Sequence, residues 1–287
     1  MSLKFAVGDL IIHRVIEQET TFLPALDMLP GLTPDLLVEN RPWMRKADAI
    51  DAHDVLILCF QSYIVKTPHH TILVDSCTGN DKPRPRPKWN MKTDDTYMRA
   101  LATAGFSADD IDYVMCTHLH VDHVGWNTRL EGGRWVPTFP NARYVFAKSE
   151  FDYWTEQNAK TPVPPFGDSV LPIVEADKAE IVRNDFQIGD HARILPTPGH
   201  IAFAFGRGRD DAVVSGDLMH SPLQARYPEL SAKFDVDQAQ AATTRRNFLE
   251  RYCDTDTLCC TAHFPSPSTG RIRRWGDGFS CQAIAAG

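Results

Sequence analysis

The sequence predicts an α/β protein in which two sheets pack face to face with helices outside. Three observations carry that reading. Short apolar runs bounded by turn residues mark strands, and helical stretches alternate with them in two rounds of similar layout. Side chains able to bind metal appear where several of those runs stop. At 287 residues, 43% of them hydrophobic, the chain is long enough for one large core or two modest ones.

The elements follow in order. "VLILCFQSYIVK" at Val55–Lys66 and "TILVD" at 71–75 predict a hairpin turning at Pro68, His69 and His70. "TDDTYMRALATAGF" predicts a helix from about Asp94 that stops at Gly105. "IDYVMCT" and "ARYVFA" read as strands, and "KSEFDYWTEQ" as a helix. Strands follow at "HARILPT", "IAFAFG" and "DAVVSGD", then a long helix over 236–252 and a last strand at "TLCCTAH". Three stretches read as irregular insertions on a single domain spanning 1–287: residues 20–52, 77–92 and 158–169. The basic "KPRPRPK" within the second reads as a solvated loop, with a lid or anion-steering role as the alternative. The apolar "TTFLPALDMLPGL" at 20–32 is a candidate cover for a site or a homodimer contact.

The bulk numbers exclude some partners. Lys plus Arg is 30 against 37 for Asp plus Glu, a net charge of −7, so no basic face for nucleic acid is expected. No apolar stretch approaches the roughly 20 residues that span a bilayer. "MSLKFAVGDL" lacks the basic and apolar regions of a signal peptide. Seven cysteines, an odd number with no CxxC pair, argue against a disulfide framework and fit a reducing, cytoplasmic setting.

The chemistry concentrates in "MCTHLHVDHVGWN" at 115–127. In an extended segment His118 and His120 point the same way and can grip one ion together. Asp122 and His123 follow a turn and face a neighbouring position. Four ligands in six residues hint at two ions, since one catalytic zinc needs about three protein ligands. Other runs each end on one further donor: "LPTPGH" on His200, "VVSGD" on Asp217, "CCTAH" on His263. The set is five histidines and two aspartates, and Asp217 could bridge two cations with its two oxygens. Imidazole and carboxylate suit zinc by default, with iron, manganese or cobalt also admissible. His13, His53, His69, His70 and His191 fit no element of the pattern.

"THLHVDH", "TPGH", "SGD" and "TAH", in this order, resemble the metallo-β-lactamase superfamily of dinuclear hydrolases. The resemblance implies a four-layer αββα sandwich. It implies one metal on His118, His120 and His200, a second on Asp122, His123 and His263, and Asp217 between them. Asp75, closing "TILVD", matches the family's aspartate that orients a ligand histidine. Asp217 separates the chain from true β-lactamases, which generally lack it. "HVDHVGWNTRLEGGRWVPTFPNARYVFAKSEFDYW" and "SGDLMHSPLQ" are similar to the lactonase and methyl parathion hydrolase-like branch, which includes quorum-quenching N-acyl-homoserine lactonases. Lactonases of that branch often carry a tyrosine three residues past the bridging aspartate; here the position is His220.

A pair of cations lowers the pKa of a bridging water and polarises a substrate oxygen. The expected reaction is therefore opening of a small-molecule lactone or ester by a metal-bridging hydroxide. Hydrolysis of an organophosphate or aryl ester is the alternative, and a non-catalytic metal-binding scaffold a third reading. Asp122 and His220 are the candidates for a direct part in the reaction, and Trp126 and Phe264 for pocket walls.

Overall fold

A computed structural model of the chain describes residues 4–197 and 200–284, with only the backbone of His200. Its strands form two seven-stranded sheets and one small hairpin. The first sheet runs in the order Lys4–Val7, Leu10–Pro24, Val55–Lys66, Thr71–Val74, Tyr113–Met115, Arg143–Ala147, Ala179–Val182. The second runs Gln187–Ile188, Ala192–Thr197, His200–Phe205, Ala212–Val214, Leu258–Cys260, Thr269–Trp275, Gly278–Ala283.

Both sheets are mixed. Thr71–Val74, Tyr113–Met115, Arg143–Ala147 and Ala179–Val182 pair in parallel, and so do Ala212–Val214 and Leu258–Cys260. Thr71–Val74, Ala212–Val214 and Leu258–Cys260 are buried along their whole length and read as short, mostly apolar runs, whereas Ala179–Val182 at the end of the first sheet is partly exposed. Ligand-binding residues in such sheets collect beyond the carboxyl ends of the strands. Asp75 follows Val74, the histidine cluster follows Met115, and Asp217 and His263 follow the other parallel pair.

The predicted hairpin is present, antiparallel with Tyr63 opposite Val74. Its turn is held by Thr67, whose Oγ1 accepts from the backbone of His69 and His70. The expected helix before Gly105 spans Thr96–Thr103, and Gly105 takes φ +91. The helices at Lys148–Lys160 and Gln238–Tyr252 also form, the second capped by Asp237 accepting from Gln240 N at 2.9 Å.

The chain divides into two compact units, residues 18–59 with 194–284, and 4–17 with 60–193. In the latter, Tyr97, Val114, Val124, Trp126, Phe139, Tyr144 and Phe166 make a core with almost no exposed surface. In the former, Ala202, Val213, Leu218, Phe248, Leu249 and Phe279 do the same.

The structure corrects several expectations. Residues 20–52 are largely regular: the strand Leu10–Pro24 runs into them, and helices follow at Ala25–Met28 and Pro34–Lys46. Thr33 caps the longer helix by accepting from Leu36 N, and Pro34 sits in its first turn, where a missing N–H costs nothing. Residues 158–169 likewise end in a helix, Pro164–Ser169, with its prolines in the first turn. "TLCCTAH" is not the last strand, since Thr269–Trp275 and Gly278–Ala283 extend the second sheet.

Residues 77–92 are irregular as expected, and Pro83, Pro85, Pro87 and Lys88 are exposed, but two of the loop's cations are not solvated. Lys82 is 0% exposed and Arg84 5%. Arg84 makes a two-point ion pair with Asp168 at 2.7 and 2.8 Å, which carries it into the interior. Lys82 donates to the carbonyl and hydroxyl of Thr128 and lies 3.5 Å from the Trp135 ring centre. Burial pushes its amine down to about 7.

Candidate metal centre

The unit containing residues 60–193 carries the histidine cluster. Two neighbouring segments are zipped together at its base. Asp75 N donates to Met115 O, Ser76 N to His123 O, Gly125 N to Cys77 O and Trp126 N to Ser76 O, all within 2.7–3.0 Å. The approach requires glycine at 125: a Cβ there would meet the backbone of Thr78 at 2.0 Å.

On this base His118 and His123 are buried, and His120 and Asp122 are half-exposed. The His118 ring centre lies 4.0 Å from that of His123 and 4.4 Å from that of His120. His118 Nε2 stands 2.9 Å from His120 Nδ1, and Asp122 Oδ2 is 3.9 Å from His123 Nε2. The four side chains read from the sequence as ligands on this unit are thus neighbours.

Asp75 fixes the protons behind them. Its carboxylate accepts from Thr117 N at 2.7 Å, from Thr117 Oγ1 at 2.8 Å and from His123 Nδ1 at 2.9 Å. A carboxylate acceptor holds the proton on Nδ1, so Nε2 of His123 keeps its lone pair for an ion. Asp75 achieves this from a left-handed backbone, φ +58. Sequence reading missed two supports in this unit. Glu150 accepts from Trp154 Nε1 at 3.1 Å, and the Trp154 ring backs the edge of His120 at 5.5 Å. Both lie on the helix Lys148–Lys160, and only the chain's folding brings them near.

The unit containing residues 194–284 carries the other set. Asp217, His220 and His263 are buried, and one ligand atom from each lies within 4.8 Å of the others. Asp217 Oδ1 is 2.9 Å from His263 Nε2, and Oδ2 is 3.2 Å from His220 Nε2. The two rings are parallel within 9°, with centres 5.4 Å apart. His263 is clamped to Cys59 twice: Cys59 N donates to its carbonyl, and its Nδ1 donates to the Cys59 carbonyl, each at 3.0 Å. A carbonyl only accepts, so the His263 proton sits on Nδ1. Two electron-pair donors, Nε2 and a carboxylate oxygen, then face each other at 2.9 Å, an arrangement a cation satisfies.

His200 begins the strand His200–Phe205, but its side chain lies outside the described residues. Trp126 and Phe264, read as pocket walls, are both about 95% buried. Trp126 stacks on Tyr97 at 5.3 Å and donates Nε1 to Glu17 at 2.7 Å, so its ring is spent on the core. Phe264 also packs in a core, and it borders a cavity of about 440 Å³ with Trp43, Pro222 and Trp275. Cys116 adjoins the cluster, but burial, with Asp75 nearby, pushes its thiol far above the usual range, which suits packing rather than nucleophilic attack.

Comparison with known proteins agrees with the motif order. The model of the metallo-beta-lactamase superfamily matches residues 61–263. The chain belongs to the metallo-beta-lactamase superfamily. Among curated relatives, the N-acyl homoserine lactonase AiiA of Bacillus thuringiensis subsp. kurstaki is 24% identical over 110 residues, 38% of this chain and 37% of that protein. An N-acyl homoserine lactonase of a Bacillus sp. is 25% identical over 163 residues, 51% of this chain and 56% of that protein. These matches therefore span from over a third to over half of the relatives' length. Two solved structures are similar across nearly the whole chain. The hydrolase AbOPH, described as in the beta lactamase superfamily, has a TM-score of 0.81 at 20% identity, covering 99% of this chain and 97% of the other. AidC, a dizinc quorum-quenching lactonase with N-hexnoyl-L-homoserine as product, has a TM-score of 0.76 at 20% identity with the same coverage. Both show that this superfamily member has the α/β fold expected from its motifs. Among the described residues no helix is long and apolar enough to cross a membrane.

Proposed function

We propose that the chain is a metal-dependent hydrolase that opens a small lactone or ester, an N-acyl-homoserine lactone being the first candidate. Its ligands are His118, His120, Asp122, His123, His200, Asp217 and His263, and its cofactor is a pair of divalent cations, zinc by default. One observation carries the reading. His123 and His263 are each held with the proton on Nδ1, by Asp75 and by the Cys59 carbonyl, which presents Nε2 as a donor beside a carboxylate. The lactonases among the relatives and structural neighbours supply the substrate class.

Bound ions would supply Lewis acidity, lowering the pKa of a water and polarising the substrate oxygen. The chain's own residues do the rest. Asp75 keeps the His123 ring and its proton in place. His220 Nε2 donates to Asp217 Oδ2 and steadies that carboxylate from the side opposite His263. With its proton on Nε2, His220 leaves Nδ1 buried and without a hydrogen-bond partner among the described residues. That nitrogen is a proton acceptor in a water-poor position, suited to taking up a proton released as the ester opens.

The test is metal analysis of purified protein together with assays on an acyl-homoserine lactone, an aryl ester and a phosphotriester. Two metals per chain and lactone or aryl-ester turnover, abolished by a chelator and restored by zinc, are expected. Turnover of the phosphotriester alone would move the chain to the organophosphate reading. Metal-loaded protein inert on all three would refute hydrolysis of these bonds.

A further inference from the structure

The cavity of about 440 Å³ bordered by Phe264 lies wholly within the unit of residues 18–59 and 194–284. Its walls come from three places. Trp43 and Ala47, at the carboxyl end of the helix Pro34–Lys46, form one. The turn that opens with Phe264 and Pro265 forms the second, and Pro222 and Trp275 complete the enclosure. None of these side chains belongs to the candidate metal centre, although Phe264 follows His263 and Pro222 stands two positions after His220.

The walls are set before any ligand arrives. Trp43 donates Nε1 to Asn40 Oδ1 at 2.7 Å, and the buried Asn40 donates in turn to Leu36 O at 2.8 Å. Trp275 meets Trp43 edge-on, with ring centres 5.2 Å apart. The Arg226 guanidinium lies 4.9 Å from the Trp275 ring centre and donates to the Trp275 carbonyl at 2.6 Å. The turn is stitched by Ser268, whose N donates to Pro265 O at 3.0 Å and whose hydroxyl donates to Phe264 O. Ser266 donates both N and Oγ to Glu19, at 2.9 and 2.7 Å. The turn's polar groups are thus engaged within the protein, and what the cavity chiefly offers is indole, phenyl and pyrrolidine surface. Trp275 remains 39% exposed, ring surface left in water that a ligand would cover. Charges around the mouth balance: Lys46 and Arg226 are positive, Asp48 and Glu19 negative. Such a rim gives no reward for net charge on a ligand, while the apolar walls penalise it. The volume lies near the low end of the roughly 300–1,000 Å³ of ligand pockets, which suits one or two rings.

We propose that this cavity is a binding site for an uncharged aromatic molecule of one or two rings. The assignment stands apart from the hydrolase reading. Indole is the probe, titrated calorimetrically into the protein beside indole-3-acetate and tryptamine, which carry the same ring with a negative and a positive charge. The native protein is expected to bind one indole per chain, more tightly than either charged congener. Trp275→Ala, at a partly exposed position, should weaken indole by about 2–12-fold, the range for one aromatic pair. Ala47→Trp, at an exposed position on the rim, should fill the mouth and abolish binding. Both variants are compared with native protein by circular dichroism, so that a loss of binding is read only in folded chains. Saturable binding that both variants leave unchanged would put indole elsewhere and overturn the assignment. So would the absence of saturable binding to the native protein, or tighter binding of either charged congener.

Discussion

Replacing Asp75 by asparagine isolates the contribution of proton placement to metal binding. The backbone at this position is left-handed, φ +58, which asparagine adopts more readily than most residues, so the variant should fold without added strain. The carboxylate now accepts from three donors: Thr117 N, Thr117 Oγ1 and His123 Nδ1. An asparagine has one acceptor oxygen and an NH2 group that only donates. If the oxygen keeps Thr117 N, the NH2 faces His123 Nδ1. The ring then has to place its proton on Nε2, the nitrogen required by the ion. Binding in the variant must reverse that tautomer and set two donors against each other. Loss of such an outer partner weakens metal binding about 10–100-fold, or about 1.4–2.8 kcal/mol at about 1.4 kcal/mol per tenfold. Competition against a chromophoric zinc chelator measures it. The expected outcome is one weakened ion per chain, the one held by His123, with the other less affected. Two ions bound with native affinity in a folded Asp75→Asn protein would refute the argument from tautomers.

Three further outcomes follow from the packing. Arg84→Met leaves the Asp168 carboxylate buried without its partner and should cost about 3–5 kcal/mol, whereas the double variant Arg84→Met/Asp168→Leu should recover most of that in urea denaturation. With the Lys82 amine at about 7 folded and 10.5 as its ordinary value, the unfolded chain binds the extra proton between those limits. Stability should therefore rise with pH across that window, by at most about 1.4 kcal/mol per pH unit, and be lowest below pH 7, and Lys82→Met should remove that part of the slope. Gly125→Ala puts a methyl group into the Thr78 backbone and should cost about 1–3 kcal/mol or more, read as a lowered Tm in metal-free protein.

The cluster of histidines and aspartates was legible because its chemistry contradicts its surroundings. Histidines and aspartates at the ends of apolar runs have no packing rationale, and five of the six side chains that the structure describes fall into two buried or half-buried groups beyond parallel strands, while Asp122 borders His123. The supports were not legible, since each is a long-range pairing. Asp168 lies 84 positions from Arg84, and Glu17 lies 61 positions from Thr78. Charged residues in a Pro-rich stretch read as solvated until such partners are known, because lysine and arginine are rarely buried alone. Prolines misled in the same way at 34 and 164, where they open helices rather than break them. The strand Leu10–Pro24 was missed because polar residues such as Arg14 and Glu17 occupy buried positions in it. A strand that buries charge does not show the alternation by which strands are recognised.

Glu17 has a practical consequence for anyone trimming this protein. Its carboxylate accepts from Thr78 N, Thr78 Oγ1 and Trp126 Nε1, and it pairs with Lys92. The family match starts at residue 61, so an expression fragment cut to that boundary would discard this acceptor. The indole N–H of Trp126 would lose its acceptor in the interior, three residues from His123, and Lys92 would be left with Asp94 and Asn80. Shortened versions should therefore start upstream of the first strand, however peripheral those early residues look in a family comparison.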